Sequence, residues 1–305
     1  MREKSPVPPD GEPSQRPPAR DPDLRRSTLT AGKRPSLCQV DCFGKSLARL
    51  GRRINEDHFQ ILRLKSAEAS PAEPSVYLLA VADGVGGAPA GQWASAAAVD
   101  SLGRFLKRET FRLGRSAEGS ETMAALLKRA VRACEIGLRR NVRRRPEWAG
   151  MATTLTAAVL VGTTFYLVHT GDSRAYLLRD GMLVQLTRDH TYGQMLLDAG
   201  LVGARSSGPV PFGHVLWNTL GSGALAADPD ILAVRPRAGD WLLLCTDGLS
   251  KCFSNRELRT LLLKERSAQG AAEHLIAAVR DRGAPDDVTV ALARFHRDDA
   301  PSRRV

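Results

Sequence analysis

The chain has 305 residues, of which 43% are hydrophobic and 25% charged, a composition typical of folded globular proteins. It excludes a collagen-like, coiled-coil or wholly disordered chain, and the length allows one large domain or two ordinary ones. The net charge of +11 favours acidic partners, and nucleic acid, anionic lipid and phosphoprotein all fit it. Because no aromatic residues interleave with the basic residues and no zinc-finger pattern occurs, we do not expect nucleic-acid binding.

The cysteine pattern and the N-terminus indicate a cytoplasmic protein. The five cysteines include no C-x-x-C pair and no metal-ligand spacing with histidine, so we expect reduced thiols. The N-terminus lacks the apolar core of a signal peptide. The longest uncharged stretch, 148–171, is rich in threonine and runs into Asp172. We therefore expect two buried strands joined at Gly162 there, and no membrane span.

Proline content separates the first 36 residues from the rest. Residues 1–36 hold eight of the 18 prolines and almost no aliphatic side chains. Such a segment buries too little apolar surface to offset its ordering entropy. We predict a disordered Pro/Arg-rich extension over 1–36, one folded domain over 37–297 and a disordered tail over 298–305.

The first elements of the folded part are a strand and two helices. A short, continuously apolar run predicts a buried strand at 76–82, and helical spacing predicts helices at 92–106 and 121–141. A dense arginine run closes the second helix. We interpret it as a solvated helix end, with a docking patch for an acidic or phosphorylated partner as the alternative. Its members are Arg139, Arg140, Arg143, Arg144 and Arg145.

Strand-like runs dominate the following part of the chain. They form a meander between residues 153 and 187, in which Asp180-Gly181 is a strong hairpin signal. Long hairpins with helices in two clusters predict an α+β layered sandwich. The remaining predicted elements are a short helix at 191–200, a flap at 201–211, a strand at 240–246, helices at 255–266 and 268–281, and a strand at 288–295.

Acidic residues stand at the ends of three apolar strands. Asp83 and Asp247 follow strands and each precedes a glycine, while Asp286-Asp287 precedes the last strand. Each site alone also fits an ordinary turn. Together they favour a shared cation centre of hard carboxylate oxygens, which suits Mg²⁺ or Mn²⁺ better than zinc. Two ions bridged by a carboxylate would support metal-assisted phosphoryl chemistry, and Gly84 would let the backbone approach the metal.

Seven motifs then occur in the order found in one family. The sequence between Cys38 and Phe295 resembles the metal-dependent protein phosphatases of type 2C in their bacterial form. The resemblance implies a four-layer α-β-β-α sandwich of two mostly antiparallel sheets flanked by helix pairs. The motifs are RRINED (52–57), VADGVGG (81–87), MATTLTA (151–157), GDSRAYLLRDG (171–181), LTRDHT (186–191), LLCTDGL (243–249) and PDDVTV (285–290).

The resemblance also implies roles at the metal centre. Asp83 would bridge two Mn²⁺ or Mg²⁺ ions, with the Gly84 carbonyl as a further ligand. Arg52 would clamp the substrate phosphate, for which a guanidinium fork is well suited. The other implied metal residues are Asp247 and Asp286 as direct ligands of the first ion, and Glu56 and Asp57 as holders of waters on the second.

Further residues are implied around this centre. Asp172 resembles a buried orienting carboxylate with Arg174 as its neighbour, and a purely structural role fits it equally well. Asp189 and Glu147 are candidates for a third, weaker ion; Asp189 also fits a turn or helix cap, and Glu147 stands where bacterial members have Asp. Three positions depart from the family pattern: Asp287 where Asn is frequent, Ala152 where Gly is usual, and Val85 where animal members carry His.

Outside the motifs, we expect His169 to be a satisfied core residue, while His190 and His214 lie near the flap and are candidates to meet a substrate. The resemblance implies hydrolysis of phosphoserine or phosphothreonine in proteins by a metal-activated water, without a covalent phosphoenzyme. The expected partners are a bacterial Ser/Thr kinase and its substrates, and the expected state is a monomer. The alternatives are a non-catalytic phosphoprotein-binding regulator of the same fold, and a partner switch on a transcription regulator.

Overall fold

A computed structural model describes residues 39–52, 54–64, 76–85, 90–113, 120–202, 210–221 and 226–296. The segments predicted to be disordered, 1–36 and 298–305, lie outside these residues. So do residues 203–209, which form most of the predicted flap, and Gly86-Gly87 of the VADGVGG motif.

Ten strands form two five-stranded sheets. One sheet has the order β1-β10-β9-β6-β7 and the other the order β2-β3-β4-β5-β8, and all neighbouring strands are antiparallel. The strands are β1 (Gln39–Leu47), β2 (Asp57–Leu64), β3 (Val76–Asp83), β4 (Leu155–Val161), β5 (Thr164–Thr170), β6 (Arg174–Arg179), β7 (Met182–Gln185), β8 (Asp230–Val234), β9 (Trp241–Cys245) and β10 (Val288–His296).

Alternating side chains of these strands serve two different cores. In β3, Leu78 and Ala80 face a core shared with helices, whereas Leu79 and Val81 face the opposite sheet. This alternation follows from the two-residue period of a strand, and it explains why a central strand is apolar at every position. Phe165 of β5 and Phe295 of β10 stack at 6.1 Å between their ring centroids and join the two sheets.

Helices cover both outer faces of the sheet pair. The pair α1–α2 packs on the sheet that contains β3, and α5 and α6 pack on the sheet that contains β10. The predicted α-β-β-α layering is therefore confirmed. The helices are α1 (Gly91–Leu113), α2 (Ser120–Arg144), α3 (Tyr192–Asp198), α4 (Asp247–Cys252), α5 (Asn255–Leu263) and α6 (Ala268–Asp281), with a 3₁₀ turn at Pro146–Trp148.

The two predicted turns occur where glycine allows them. Gly162, with φ +58°, joins β4 to β5, so the long uncharged stretch forms two buried strands as expected. Asp180 and Gly181 have φ +49° and +73° and join β6 to β7, as a two-residue hairpin turn of mirror-image type requires. Within the described residues, no helix is long and apolar enough to span a membrane.

The helix boundaries differ from the predictions by up to seven residues, most of all at the end of α1. Helix α1 extends to Leu113, beyond the predicted end at residue 106, and α5 ends at Leu263, before the predicted end at residue 266. Asp247, for which an ordinary turn was the alternative to a metal-binding role, begins the short helix α4. The hydroxyl of the preceding Thr246 does not cap this helix: it donates to Asp57 of the other sheet and accepts from the Thr289 amide.

Candidate active site

Two aspartates meet where neighbouring strands end. Asp57 is the first residue of β2 and Asp83 is the last residue of β3, and the antiparallel register pairs them directly. Side chains of directly paired residues point to the same face of a sheet, about 5 Å apart at Cβ. The register therefore places two of the predicted metal residues side by side at one edge of the sandwich.

Asp57 is buried with one carboxylate oxygen unpartnered. Its Oδ2 accepts a hydrogen bond of 2.8 Å from the Thr246 hydroxyl, whereas Oδ1 has no hydrogen-bond partner. Burial raises the pKa of Asp57 to about 7, and the nearby charges of Asp287 and Asp247 act in the same direction. A buried carboxylate oxygen without a donor is costly unless a cation or a water approaches it.

Asp83 is anchored through its backbone, which leaves its carboxylate for other partners. The Asp83 carbonyl accepts hydrogen bonds from the Thr153 hydroxyl at 2.7 Å and the Thr154 amide at 2.9 Å, and the Asp83 amide donates to the Thr154 hydroxyl at 2.9 Å. Desolvation raises the pKa of Asp83 well above its ordinary value. The further contributors are four carboxylates, Asp57, Asp247, Asp172 and Asp286.

Lys251 lies between the other two predicted ligands of the first ion. Its Nζ forms an ion pair with Asp247 across one turn of α4 and lies 3.4 Å from Oδ2 of Asp286. Partial burial lowers the pKa of Lys251, but Asp247 and Asp286 outweigh burial and hold it above its usual value. The ammonium group thus partly neutralises a cluster of carboxylates that otherwise repel one another.

Asp287 holds the segment that leads into the site. It is buried, and its two carboxylate oxygens accept hydrogen bonds from the backbone amides of Arg49 and Glu56, each at 2.7 Å. Two amide donors require two acceptor oxygens, and an asparagine side chain provides only one. The departure from the family pattern at this position therefore has a structural reason in this chain.

Arg52 and Glu56 form an ion pair at the entrance. Arg52 Nη1 lies 2.6 Å from Glu56 Oε2, and the arginine side chain is half-exposed. The Glu56 carbonyl accepts hydrogen bonds from the Gly84 amide and the Ser95 hydroxyl, so it links the strand end of β3 to α1. The arrangement leaves the guanidinium of Arg52 exposed to an incoming anion while Glu56 fixes one side of it.

Asp172, Arg174 and Asp189 occupy the β6 side of the site. Burial raises the pKa of Asp172 to about 7, with Asp247 as the next largest contributor. Arg174 makes a bidentate ion pair with Asp189, with Nε 2.9 Å from Oδ1 and Nη2 2.7 Å from Oδ2. Among the described residues, Arg174 thus bonds to Asp189 and to the Tyr176 hydroxyl, and no hydrogen bond joins it to Asp172, its expected neighbour. Glu147 is exposed on the 3₁₀ turn, and within the described part of the chain no hydrogen bond or ion pair joins it to Asp189.

The residues at this edge suit hard divalent cations. Asp83 and the four carboxylates around it repel one another, one buried oxygen of Asp57 lacks a donor, and all candidate ligands are oxygen. As they stand, no three Asp, Glu, His or Cys side chains of the described residues converge closely enough to complete a metal site. The donor chemistry therefore fits Mn²⁺ or Mg²⁺. The ligand side chains would have to move closer together to bind an ion.

His169 and His190 have structural partners, whereas His214 is exposed. His169 is buried, with Nδ1 2.8 Å from the Thr156 hydroxyl and Nε2 3.0 Å from the Arg188 carbonyl, which agrees with its predicted core role. Burial lowers the pKa of His169 to about 4. His190 is also buried, and its ring lies between those of His169 and Trp217, so it does not face solvent as a substrate-binding residue would. The four described cysteines are free thiols.

Comparison with known proteins assigns the family. The family model described as Protein phosphatase 2C matches residues 54–284. The chain is 37% identical over 225 residues to the serine/threonine protein phosphatase PstP of Mycobacterium tuberculosis, an alignment that covers 72% of this chain and 41% of that relative. It is 32% identical over 241 residues to the serine/threonine phosphatase stp of Listeria monocytogenes, covering 79% and 90% of the two chains. The chain belongs to the protein phosphatase 2C family.

Solved structures agree with this assignment. The crystal structure of the M. tuberculosis phosphatase PstP/Ppp superposes with a TM-score of 0.70 at 33% identity, covering 85% of this chain and all of that one. The catalytic domain of PstP in complex with two manganese ions gives a TM-score of 0.68 at 33% identity over 86% of this chain. The chain spans about two fifths, 41%, of the curated length of PstP.

Sequence reasoning missed three residues of the site. Thr246 bonds to Asp57, Thr154 bonds to the Asp83 backbone, and Lys251 pairs with Asp247. Asp247 and Lys251 are four residues apart, so a helix beginning at Asp247 places them on the same face. This spacing is visible in the sequence and would have predicted their ion pair. The two threonines gave no comparable signal because their partners lie on other strands.

Proposed function

We propose that this chain hydrolyses phosphoserine and phosphothreonine in proteins, and that two Mn²⁺ or Mg²⁺ ions serve the reaction. The single observation that carries the proposal is the cluster of carboxylates around the strand ends of β2 and β3, with a buried Asp57 oxygen that lacks a donor. Membership of the 2C family and the manganese-bound relative support it.

Each residue of the cluster has a role in the proposed reaction. Asp83 would bridge the ions, Asp247 and Asp286 would complete the first, and Asp57 and Glu56 would orient water on the second, with the Gly84 carbonyl as a further ligand. When bound, the ions supply an activated water and neutralise phosphoryl charge. Arg52 would bind the phosphoryl oxygens, where fixed positive charge is most effective in the transition state.

The proposed reaction is the hydrolysis of a phosphate monoester. The water oxygen forms the new bond to phosphorus, the bond from phosphorus to the serine or threonine oxygen breaks, and that oxygen takes up a proton that originates from water. The products are the free hydroxyl side chain and inorganic phosphate. Val85 stands where a histidine would be a proton donor, so this chain offers no imidazole at that position.

The roles of Asp172, Asp189 and Glu147 extend the proposal. Asp172 would orient the ligands from the β6 side, and Asp287 would position Glu56 through its amide. Asp189 forms an ion pair with Arg174, and a third, weaker metal ion at Asp189 would have to displace that arginine. We further infer a monomeric protein in the cytoplasm that acts on a Ser/Thr kinase and its substrates, in line with the free thiols.

Hydrolysis of phosphopeptides tests the proposed function. Purified protein would be assayed on matched phosphothreonine, phosphoserine and phosphotyrosine peptides with Mn²⁺, with Mg²⁺ and with EDTA. We expect metal-dependent phosphate release from the first two peptides and none with EDTA. A folded protein that binds the phosphothreonine peptide with either metal but never releases phosphate would instead identify a non-catalytic regulator.

A further inference from the structure

An exposed aromatic and basic surface adjoins the candidate active site. Trp93, near the start of α1, stacks on Trp148 of the 3₁₀ turn with 5.5 Å between ring centroids and 13° between ring planes. The Arg145 guanidinium lies 4.7 Å from the Trp148 ring centroid. Trp93 is 49% exposed, an unusual position for the largest apolar side chain. We name these three residues the tryptophan platform.

The C-terminal end of α2 supplies a strong positive charge beside this platform. The five arginines of this end are all exposed, and no ion pair to any of them occurs among the described residues. Elsewhere on the same helix, Lys128 and Arg129 do have acidic partners, Asp228 and Glu109. Within the described residues, this end of α2 is therefore a cluster of positive charge without ion pairs. Its members are Arg139, Arg140, Arg143, Arg144 and Arg145.

Short contacts connect the platform to the predicted metal residues. Gly91, two residues before Trp93, packs so closely on Gly84 that a Cβ added to Gly91 would lie 3.2 Å from the Gly84 carbonyl carbon. From the other side, the Trp148 carbonyl accepts the Met151 amide, and the Ala152 carbonyl accepts the Val85 amide. A polypeptide with its phosphate beside Asp83 would thus have its flanking residues within reach of the platform.

We propose that the tryptophan platform and the α2 arginines dock an acidic stretch of the protein substrate that flanks the phosphorylated residue. The inference rests on the proposed function and specifies the substrate class. Guanidinium groups pair well with carboxylates, and the exposed ring of Trp93 provides stacking area for backbone and apolar side chains. RNA would also be attracted by the charge, but the adjoining carboxylate site acts on a phosphorylated polypeptide, which favours a protein ligand.

Paired peptides test this docking surface. Two phosphothreonine peptides would share a central sequence, one flanked by Asp and Glu and the other by Ser and Ala. We expect wild-type protein to prefer the acidic peptide by about tenfold in kcat/KM, mainly through KM, because several half-exposed ion pairs contribute. In the variant R143Q/R144Q/R145Q the preference is expected to disappear, while hydrolysis of the neutral peptide is unchanged. W93A is expected to reduce the preference partially.

A matched variant distinguishes docking on the α2 arginines from the effect of the protein's overall positive charge. K264Q/R266Q/R280Q removes three positive charges from exposed positions of the α5–α6 layer and is expected to keep the preference. Equal loss in both triple variants, or full preference in the arginine variant, would overturn the proposal. Binding of an RNA oligonucleotide by wild-type protein without any peptide preference would do so as well.

Binding without turnover distinguishes the failure of this inference from the failure of the proposed function. An unphosphorylated acidic peptide would be titrated into the protein while tryptophan fluorescence is followed. Binding that is lost in R143Q/R144Q/R145Q and kept in K264Q/R266Q/R280Q supports the platform even if no phosphate is released. Absence of binding in wild type, together with metal-dependent turnover, contradicts the platform alone.

Discussion

At the residue scale, Lys251 occupies the space between two predicted metal ligands. Its ammonium group pairs with Asp247 and Asp286, so a divalent ion that binds both carboxylates has to compete with it. The lysine side chain is about half exposed, which limits the strength of this competition through solvent screening. We therefore expect Lys251 to stabilise the metal-free site and to lower its affinity for metal ions.

Replacing Lys251 by Gln is expected to tighten Mn²⁺ binding by about twofold to fivefold, the range of a half-exposed ion pair. The physical reason is the loss of a competing positive charge at Asp247 and Asp286. Isothermal titration of metal-free protein measures the affinity, with Lys264→Gln as a control of equal charge change on another surface. Unchanged or weaker binding in Lys251→Gln would show that the lysine does not compete with the ion.

Asp287 gives a second prediction at this scale. Asp287→Asn replaces one of two acceptor oxygens by an NH₂ group that faces a backbone amide of Arg49 or Glu56. We expect a loss of about 1–3 kcal/mol in the free energy of unfolding, the cost of a buried unsatisfied donor. Urea denaturation measures it, and the exposed Asp281→Asn serves as the control. Equal stability of the two variants would refute the assigned role of Asp287.

At the scale of elements, the junction between β3 and α1 determines the shape of the site. Gly84 follows the last residue of β3, and a Cβ added to it would lie 2.3 Å from the carbonyl carbon of Gly91. Backbone atoms cannot move aside as the end of a flexible side chain can. The close approach of the two glycines thus brings the first turn of α1 against the Asp83 loop.

Gly84→Ala is expected to displace α1 from β3, with a loss of about 1–3 kcal/mol in stability from overpacking and a larger loss of phosphatase activity. Gly270→Ala is the control, because its Cβ would meet only side-chain atoms, the carboxylate end of Glu265 and the hydroxyl of Ser267. Activity and thermal melting of the two variants would be compared. Wild-type activity in Gly84→Ala would mean that the junction does not position the site.

The sequence predicted elements more reliably than contacts between them. Runs such as 76–82 and the Asp180-Gly181 turn are local signals, and both elements occur as predicted. The carboxylates at strand ends were also visible in the sequence. The pairing of Asp57 with Asp83 and of Arg174 with Asp189 depends on sheet register and on separate loops, so no local pattern contains it. Helix α4 was missed because Asp-Gly after a strand equally fits a turn.

At the scale of the whole molecule, the buried carboxylates of the site repel one another, and we expect divalent ions to relieve this repulsion. Burial raises the pKa of both Asp57 and Asp172 to about 7. Their ordinary values are lower, so the metal-free folded state holds protons that the unfolded chain releases. The contribution of these groups to stability is present at low pH and is lost as pH rises through about 7.

We therefore expect the metal-free protein to be less stable at pH 8 than at pH 6. His169, whose pKa is lowered to about 4, makes stability rise with pH, but this effect lies mainly below pH 6. Mn²⁺ at about a hundred times its Kd should restore about 2.7 kcal/mol at pH 8. Urea denaturation with EDTA and with Mn²⁺ at both pH values measures these effects. Higher stability at pH 8 than at pH 6 in EDTA would contradict buried carboxylates with raised pKa.

The central claim is that the carboxylate cluster around Asp83 holds the ions that hydrolyse the phosphoprotein. The most direct measurement is a titration of metal-free wild-type protein and Asp83→Asn with Mn²⁺ while phosphate release from a phosphothreonine peptide is followed. We predict that wild-type turnover rises from zero as the ions bind, and that the folded Asp83→Asn variant stays inactive at every concentration. Turnover by wild type in EDTA, or wild-type rates in Asp83→Asn, would contradict the claim.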